Sequence, residues 1–60
     1  MIGNRVRVIL LNGVYPEGVL HKLDIAGATI YRINSIPELS GTIFIPMHQI
    51  KEIVDLGRVP

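Results

Sequence analysis

The chain has 60 residues, 48% hydrophobic and 18% charged, and its six Lys and Arg against five Asp and Glu leave a net charge of +1. That length suffices for a single domain, residues 1–60, and the near-neutral balance gives no electrostatic argument for nucleic acid. The absence of Cys excludes disulfides and thiolate metal sites, while the longest apolar run, residues 8–11, is far too short to span a bilayer.

Asn4, Arg5 and Arg7 interrupt the apolar start, so the N-terminus does not read as a signal peptide and the expected location is cytoplasmic. A domain of this size hides only about 60% of the surface of its unfolded chain. Small domains make up the shortfall with disulfides, metals or partner subunits. With no Cys and only two His, self-association is the remedy the composition leaves open.

Residues 5–11 alternate at first and are rich in β-branched side chains, which predicts a first strand with Val6, Val8 and Leu10 on one face. Asn12 and Gly13 follow, a pair that signals a two-residue hairpin turn. The chain resumes at Val14 and Tyr15. Pro16 suits a strand start, edge or bulge, and Gly18 suits a bend. Residues 19–23 continue the second strand, and Gly27 closes the next break. Residues 28–33 read as a third strand, 34–41 as the longest loop, 42–45 as a fourth strand and 50–54 as a short fifth, with 56–60 as a tail. Residues 47–56 have the length of a short amphipathic helix, but Ile50, Ile53 and Val54 fit a strand better. Five short strands with tight turns predict an all-β fold, a closed or nearly closed antiparallel barrel, since closure removes aggregation-prone edges.

The run from Asn12 through Gly13, Gly18 and Leu20 to Asp24 resembles the first motif of the Sm and Sm-like family. That motif has an apolar strand, Asn or Asp before Gly, a second Gly five positions later, an apolar residue two beyond it and an Asp four beyond that. Ile50-Lys51-Glu52-Ile53 resembles the ending of the second motif. The resemblance covers roughly residues 6–54. It implies a five-stranded, strongly bent SH3-like or Sm-like barrel, its customary N-terminal helix reduced or absent. It further implies a homo-oligomeric ring in which the fourth strand of one subunit pairs with the fifth of the next. Ile43, Phe44, Ile45, Ile50 and Ile53 would then lie at the subunit interface.

The resemblance also implies single-stranded RNA as a partner, gripped by two loops around a pore. Asp24 and Gly27 belong to the first loop, and His48 and Gln49 lie at the second. His48 matches the His of the Lys-His pair in bacterial Hfq members, with Met47 in place of the Lys. Ala26 and Ala28 stand where the family offers a stacking ring and a base-reading Asn, so the uridine pocket reads as eroded. Asp24 has a second reading, a turn carboxylate that accepts backbone N–H bonds. Arg5, Arg7 and Arg32 read either as a phosphate patch or, with more weight, as charges that keep a barrel dispersed. Tyr15, Tyr31 and Phe44 are expected to pack in a core or interface.

No catalytic constellation stands out. Ser35 and Ser40 lack a nearby His-carboxylate pair, and His21 and His48 lack a ligand spacing. The expectation is a protein that is not an enzyme and needs no cofactor or metal. It is either an RNA-binding or RNA-chaperone ring, or a structural and protein-interaction ring that binds no RNA.

Overall fold

The structure, a computed structural model, describes residues 1–32 and 36–58. It is all-β. Strands β1 (Asn4–Leu10), β2 (Glu17–Asp24), β3 (Gly27–Arg32), β4 (Gly41–Pro46) and β5 (Ile50–Arg58) are supplemented by single 3₁₀ turns at Pro37–Leu39 and Met47–Gln49. Every neighbouring pair is antiparallel, in one sheet of order β4-β3-β2-β1-β5. Residues 1–3 form a turn closed by the Asn4 N–H on the Met1 carbonyl at 2.9 Å. Among the described residues no helix is long and apolar enough to cross a membrane.

The sheet order has a geometric consequence. β4 and β5 are its opposite edges, yet only Met47–Gln49 separates them in the chain. The four Cα–Cα steps from Pro46 to Ile50 span at most about 15 Å, whereas five flat strands would set their outer members about 19 Å apart. The sheet therefore curls until its edges converge at that turn. Irregular register in the β1–β5 ladder at Arg5/Val6 and Ile9/Leu10, and in β2–β3 around His21, supplies the local twist. At Gly18 the strands approach so closely that a Cβ would lie 2.5 Å from the Tyr31 carbonyl oxygen.

The concave face holds the core. Val6, Val8, Leu20, Ala28 and Ile30 are fully buried, Ile45 nearly so, and Leu10, Ile43, Ile50 and Ile53 pack against them. The period of two in β1 thus turns Val6, Val8 and Leu10 inward as predicted.

Several expectations need correction. The hairpin after β1 is not a two-residue turn of the type with both central residues at positive φ. Gly13 is at +88° but Asn12 is not positive. The Leu10 N–H bonds to the Val14 carbonyl at 2.8 Å and the Gly13 N–H to the Leu10 carbonyl at 3.0 Å. These bonds make a three-residue loop ending in a glycine bulge, the next commonest hairpin solution. The Asn12 side-chain oxygen accepts the Val14 N–H at 2.9 Å and holds the loop in that form.

β5 is nine residues long rather than five, because Asp55 and Gly57 both pair with β1. Of the two placements expected for the aromatic rings, core or interface, the buried core holds none of them: Tyr15 and Phe44 stay more than half exposed and Tyr31 is half-buried. Ile33, assigned to the third strand, Asn34 and Ser35, assigned to the long loop, and Val59 and Pro60, assigned to the tail, lie outside the described residues.

Candidate functional site

The Met47–Gln49 turn is pinned at both ends. The Met47 N–H bonds to the Ala26 carbonyl in the β2–β3 turn at 2.9 Å, and the Gln49 carbonyl accepts the Leu11 N–H at 3.0 Å. The curl of the sheet makes this possible, since the β1–β2 and β2–β3 connections leave opposite ends of a flat antiparallel sheet. Beside the turn, Leu10, Leu11, Asn12, His48 and Gln49 line an open cavity of about 330 Å³. The leucines give it an apolar wall. The imidazole and the two side-chain amides give donors and acceptors, although the Asn12 oxygen is already engaged. The hollow is shallow and widely open to solvent, so it offers a contact surface rather than an enclosing pocket.

His48 and Gln49 are therefore brought together, and both are exposed. Asp24 and Gly27 are not among the residues lining that cavity. One Asp24 oxygen accepts the Ala26 N–H at 2.9 Å and the Gly27 N–H at 3.2 Å, and the other faces Lys22 Nζ at 3.5 Å. The Ala26 bond does most to hold its carboxyl below the usual carboxylate range. Desolvation opposes it and is second only to the Ala26 bond, while the Gly27 bond and then Lys22 add to the lowering. Asp24 is thus the carboxylate that shapes the turn. Gly27 is buried where β3 meets β4, and a Cβ there would collide with the Ile45 carbonyl oxygen. Ala28 is fully buried in the core, so a larger base-reading side chain could not stand there without repacking.

The residues assigned to a subunit interface divide. Ile43, Ile45, Ile50 and Ile53 turn inward against the core, and only Phe44 is exposed. Any contact along these edges would use the backbone of β4 and β5 together with Phe44. Of the three arginines considered as a patch, Arg7 is engaged by Glu17, with Nη2 2.9 Å and Nε 3.0 Å from the carboxylate, and lies 5.5 Å from the centre of the Tyr15 ring. Arg5 and Arg32 are exposed. His21 stacks on Tyr31 with ring centres 5.8 Å apart. Among the described residues no three His, Asp or Glu side chains gather as a metal ion requires.

Sequence reasoning missed Leu10, Leu11 and Asn12 as cavity walls. Their proximity to His48 follows from the β1–β5 register, in which Leu10 faces Ile50. Comparison with protein-family models, curated proteins and solved structures finds no match.

Proposed function

We propose that the chain is a cytoplasmic, Sm-like ring protein, a binding module rather than an enzyme. In this reading the open edge of β4 pairs with the open edge of β5 in the next copy, and the His48 and Gln49 cavity meets single-stranded RNA. The observation that carries the reading is the pair of open edges on one curled sheet. β4 and β5 each have a single neighbour, an edge of unpaired backbone groups is a template for strand addition, and a head-to-tail contact between different edges closes into a ring when its rotation allows. The many large apolar side chains left exposed support the same reading.

A second reading, a structural ring without RNA, is favoured by the state of the other groups. The Asp24 carboxylate is taken up by its own turn, Arg7 is paired with Glu17, and Ala28 is buried. The remaining groups, His48, Gln49 and the exposed Arg5 and Arg32, favour phosphate and sugar over base edges.

Two measurements test the proposal. Native mass spectrometry should show a closed assembly larger than a dimer. Thr42→Lys, which puts a charge at an exposed position of β4, should reduce it to smaller species that stay folded. A folded monomer of 6.7 kDa at micromolar concentration would overturn the ring. Fluorescence anisotropy with uridine-rich and adenine-rich RNA should show salt-sensitive, weakly base-selective binding. His48→Ala combined with Gln49→Ala should abolish it. Tight uridine-selective binding that survives the double substitution would remove this site, and no binding at low salt would leave the structural ring.

A further inference from the structure

The outer face of the sheet carries groups that do not line the cavity. Arg5, Val19 and Tyr31 stand opposite one another across β1, β2 and β3, and directly opposed residues project from the same side of a sheet. Their chain neighbours Val6, Leu20 and Ile30 turn into the core, so this row lies on the convex side. His21 joins it through a bulge. Leu20 faces Ile30 and Lys22 faces Thr29, which leaves His21 as an extra residue with no partner in the ladder. Bulges of this kind re-aim a side chain. Here the imidazole lies on the Tyr31 ring, with centres 5.8 Å apart and planes within 11°, an offset stack.

Charge and shape together select what this face holds. His21 is exposed while Tyr31 backs it from one side, so the imidazole presents a flat surface to water. Arg5 is also exposed. It stands opposite Val19 on one side and Gly57 on the other, and it makes no ion pair among the described residues. The two carboxylates of β2 are taken, Glu17 by Arg7 and Asp24 by Lys22 and its own turn. The charge left unpaired beside the ring is therefore positive. An acidic peptide would use the guanidinium and leave the ring idle, and a neutral apolar partner would do the reverse. A single-stranded nucleic acid supplies a flat base for the ring and a phosphate for the guanidinium. Two strand intervals separate the Arg5 and Tyr31 backbones by about 10 Å, a gap that the long arginine side chain narrows.

We propose that the exposed side of His21, backed by Tyr31, stacks a base of single-stranded RNA whose phosphate meets Arg5. The inference rests on the RNA reading, to which it adds a second point of contact, and it needs no ring. One stacked base is worth about 5- to 150-fold in affinity. That is too little to hold a strand alone, so the loss expected of His48→Ala with Gln49→Ala stands. Fluorescence anisotropy of the full chain with adenine-rich RNA tests it. His21→Ala should weaken binding by about 5- to 150-fold, with an unchanged circular dichroism signal, whereas His21→Phe, which keeps a flat ring, should bind as the parent does. On RNA whose bases are replaced by abasic sites, His21→Ala should make no difference. Arg5→Ala should lower the slope of log affinity against log salt by about one. A parent that binds RNA and is unchanged by His21→Ala would overturn the outer site and leave the cavity reading standing. A loss that Phe does not restore, or that persists on abasic RNA, would also overturn it. Polyglutamate bound as tightly as RNA would overturn it in favour of an acidic peptide. A parent that binds no RNA would remove both readings.

Discussion

The middle of the sheet and its margins are built from the same residue types and end in different states. In β1, β2 and β3 each strand has a neighbour on both sides, and Val6, Val8, Leu20 and Ile30 are fully buried. β4 and β5 each have one neighbour, and around them Phe44, Met47 and Leu56 are left partly in water. Apolar content alone does not separate the two regions. What separates them is whether a second strand is present to complete the ladder and cover the face. The margins are where the sheet leaves strands with a single neighbour, and the proposed strand pairing places its contacts there.

The strongest way to break that contrast is to cut the same side chain in both regions. Leu20→Ala should cost about 2–5 kcal/mol, the range for a large-to-small change in a packed core, and that is a large share of a small domain's stability. Leu56→Ala, at a 40% exposed position, should change the isolated subunit by within about 0.5 kcal/mol. Equal losses in urea unfolding would dissolve the distinction. Ile45→Asp belongs with the first group although β4 is an edge. Ile45 is only 5% exposed, so the substitution should abolish the folded circular dichroism signal rather than yield a folded, dissociated subunit.

Acid sharpens the contrast at the turns. Asp24 is held below the usual carboxylate range chiefly by the Ala26 N–H, and Asp55 chiefly by the Gly57 N–H and then by Asn4. Both folded pKa values are depressed. Their stabilisation is therefore fully present above the unfolded value, about 3.9 for Asp, and is lost as pH falls through the lower folded values. The melting temperature should hold steady down to about pH 4 and fall below it. Asp24→Asn combined with Asp55→Asn should flatten that fall, and an unchanged acid limb in the double variant would show that other groups govern it.

The smallest effect is expected at Arg7. Its pair with Glu17 has side chains 42% and 38% exposed, and solvent screening limits such pairs to roughly 0–1 kcal/mol. A double-mutant cycle with Arg7→Ala and Glu17→Ala that gave a coupling well above this range would reclassify that corner as structural.

How far the sequence discloses this fold varies with the distance over which the cause acts. The inward set of β1 was legible because Val6, Val8 and Leu10 repeat every second residue. The far end of β5 was not. Asp55 and Gly57 face Val6 and Arg5, so Leu56 is an extra residue that breaks the period of two and disguises the strand as a tail. Asn12-Gly13 announced a turn, but the same dipeptide serves two loop lengths, and the choice shows only in which carbonyl the Gly13 N–H meets. At the candidate site His48 and Gln49 were legible by resemblance, whereas their company of Leu10, Leu11 and Asn12 depends on the long-range β1–β5 register. The turn role of Asp24 was one of two readings its sequence position allows, and the backbone bonds favour it.

The β1–β5 ladder also bears on the rate of folding. Asn4 bonds Asp55 across 51 positions, and the whole ladder joins residues 4–10 to residues 50–58. Long separations of this kind must be closed before they are rewarded, which places such domains among the slow folders, in the millisecond to second range. Until β5 docks, β1 lacks its outer neighbour, and Val6 and Val8 lie on a strand with an open edge. A nascent or briefly unfolded chain is then open to the wrong partner on β1. Refolding yield should accordingly fall as protein concentration rises, even under conditions where the finished domain is stable.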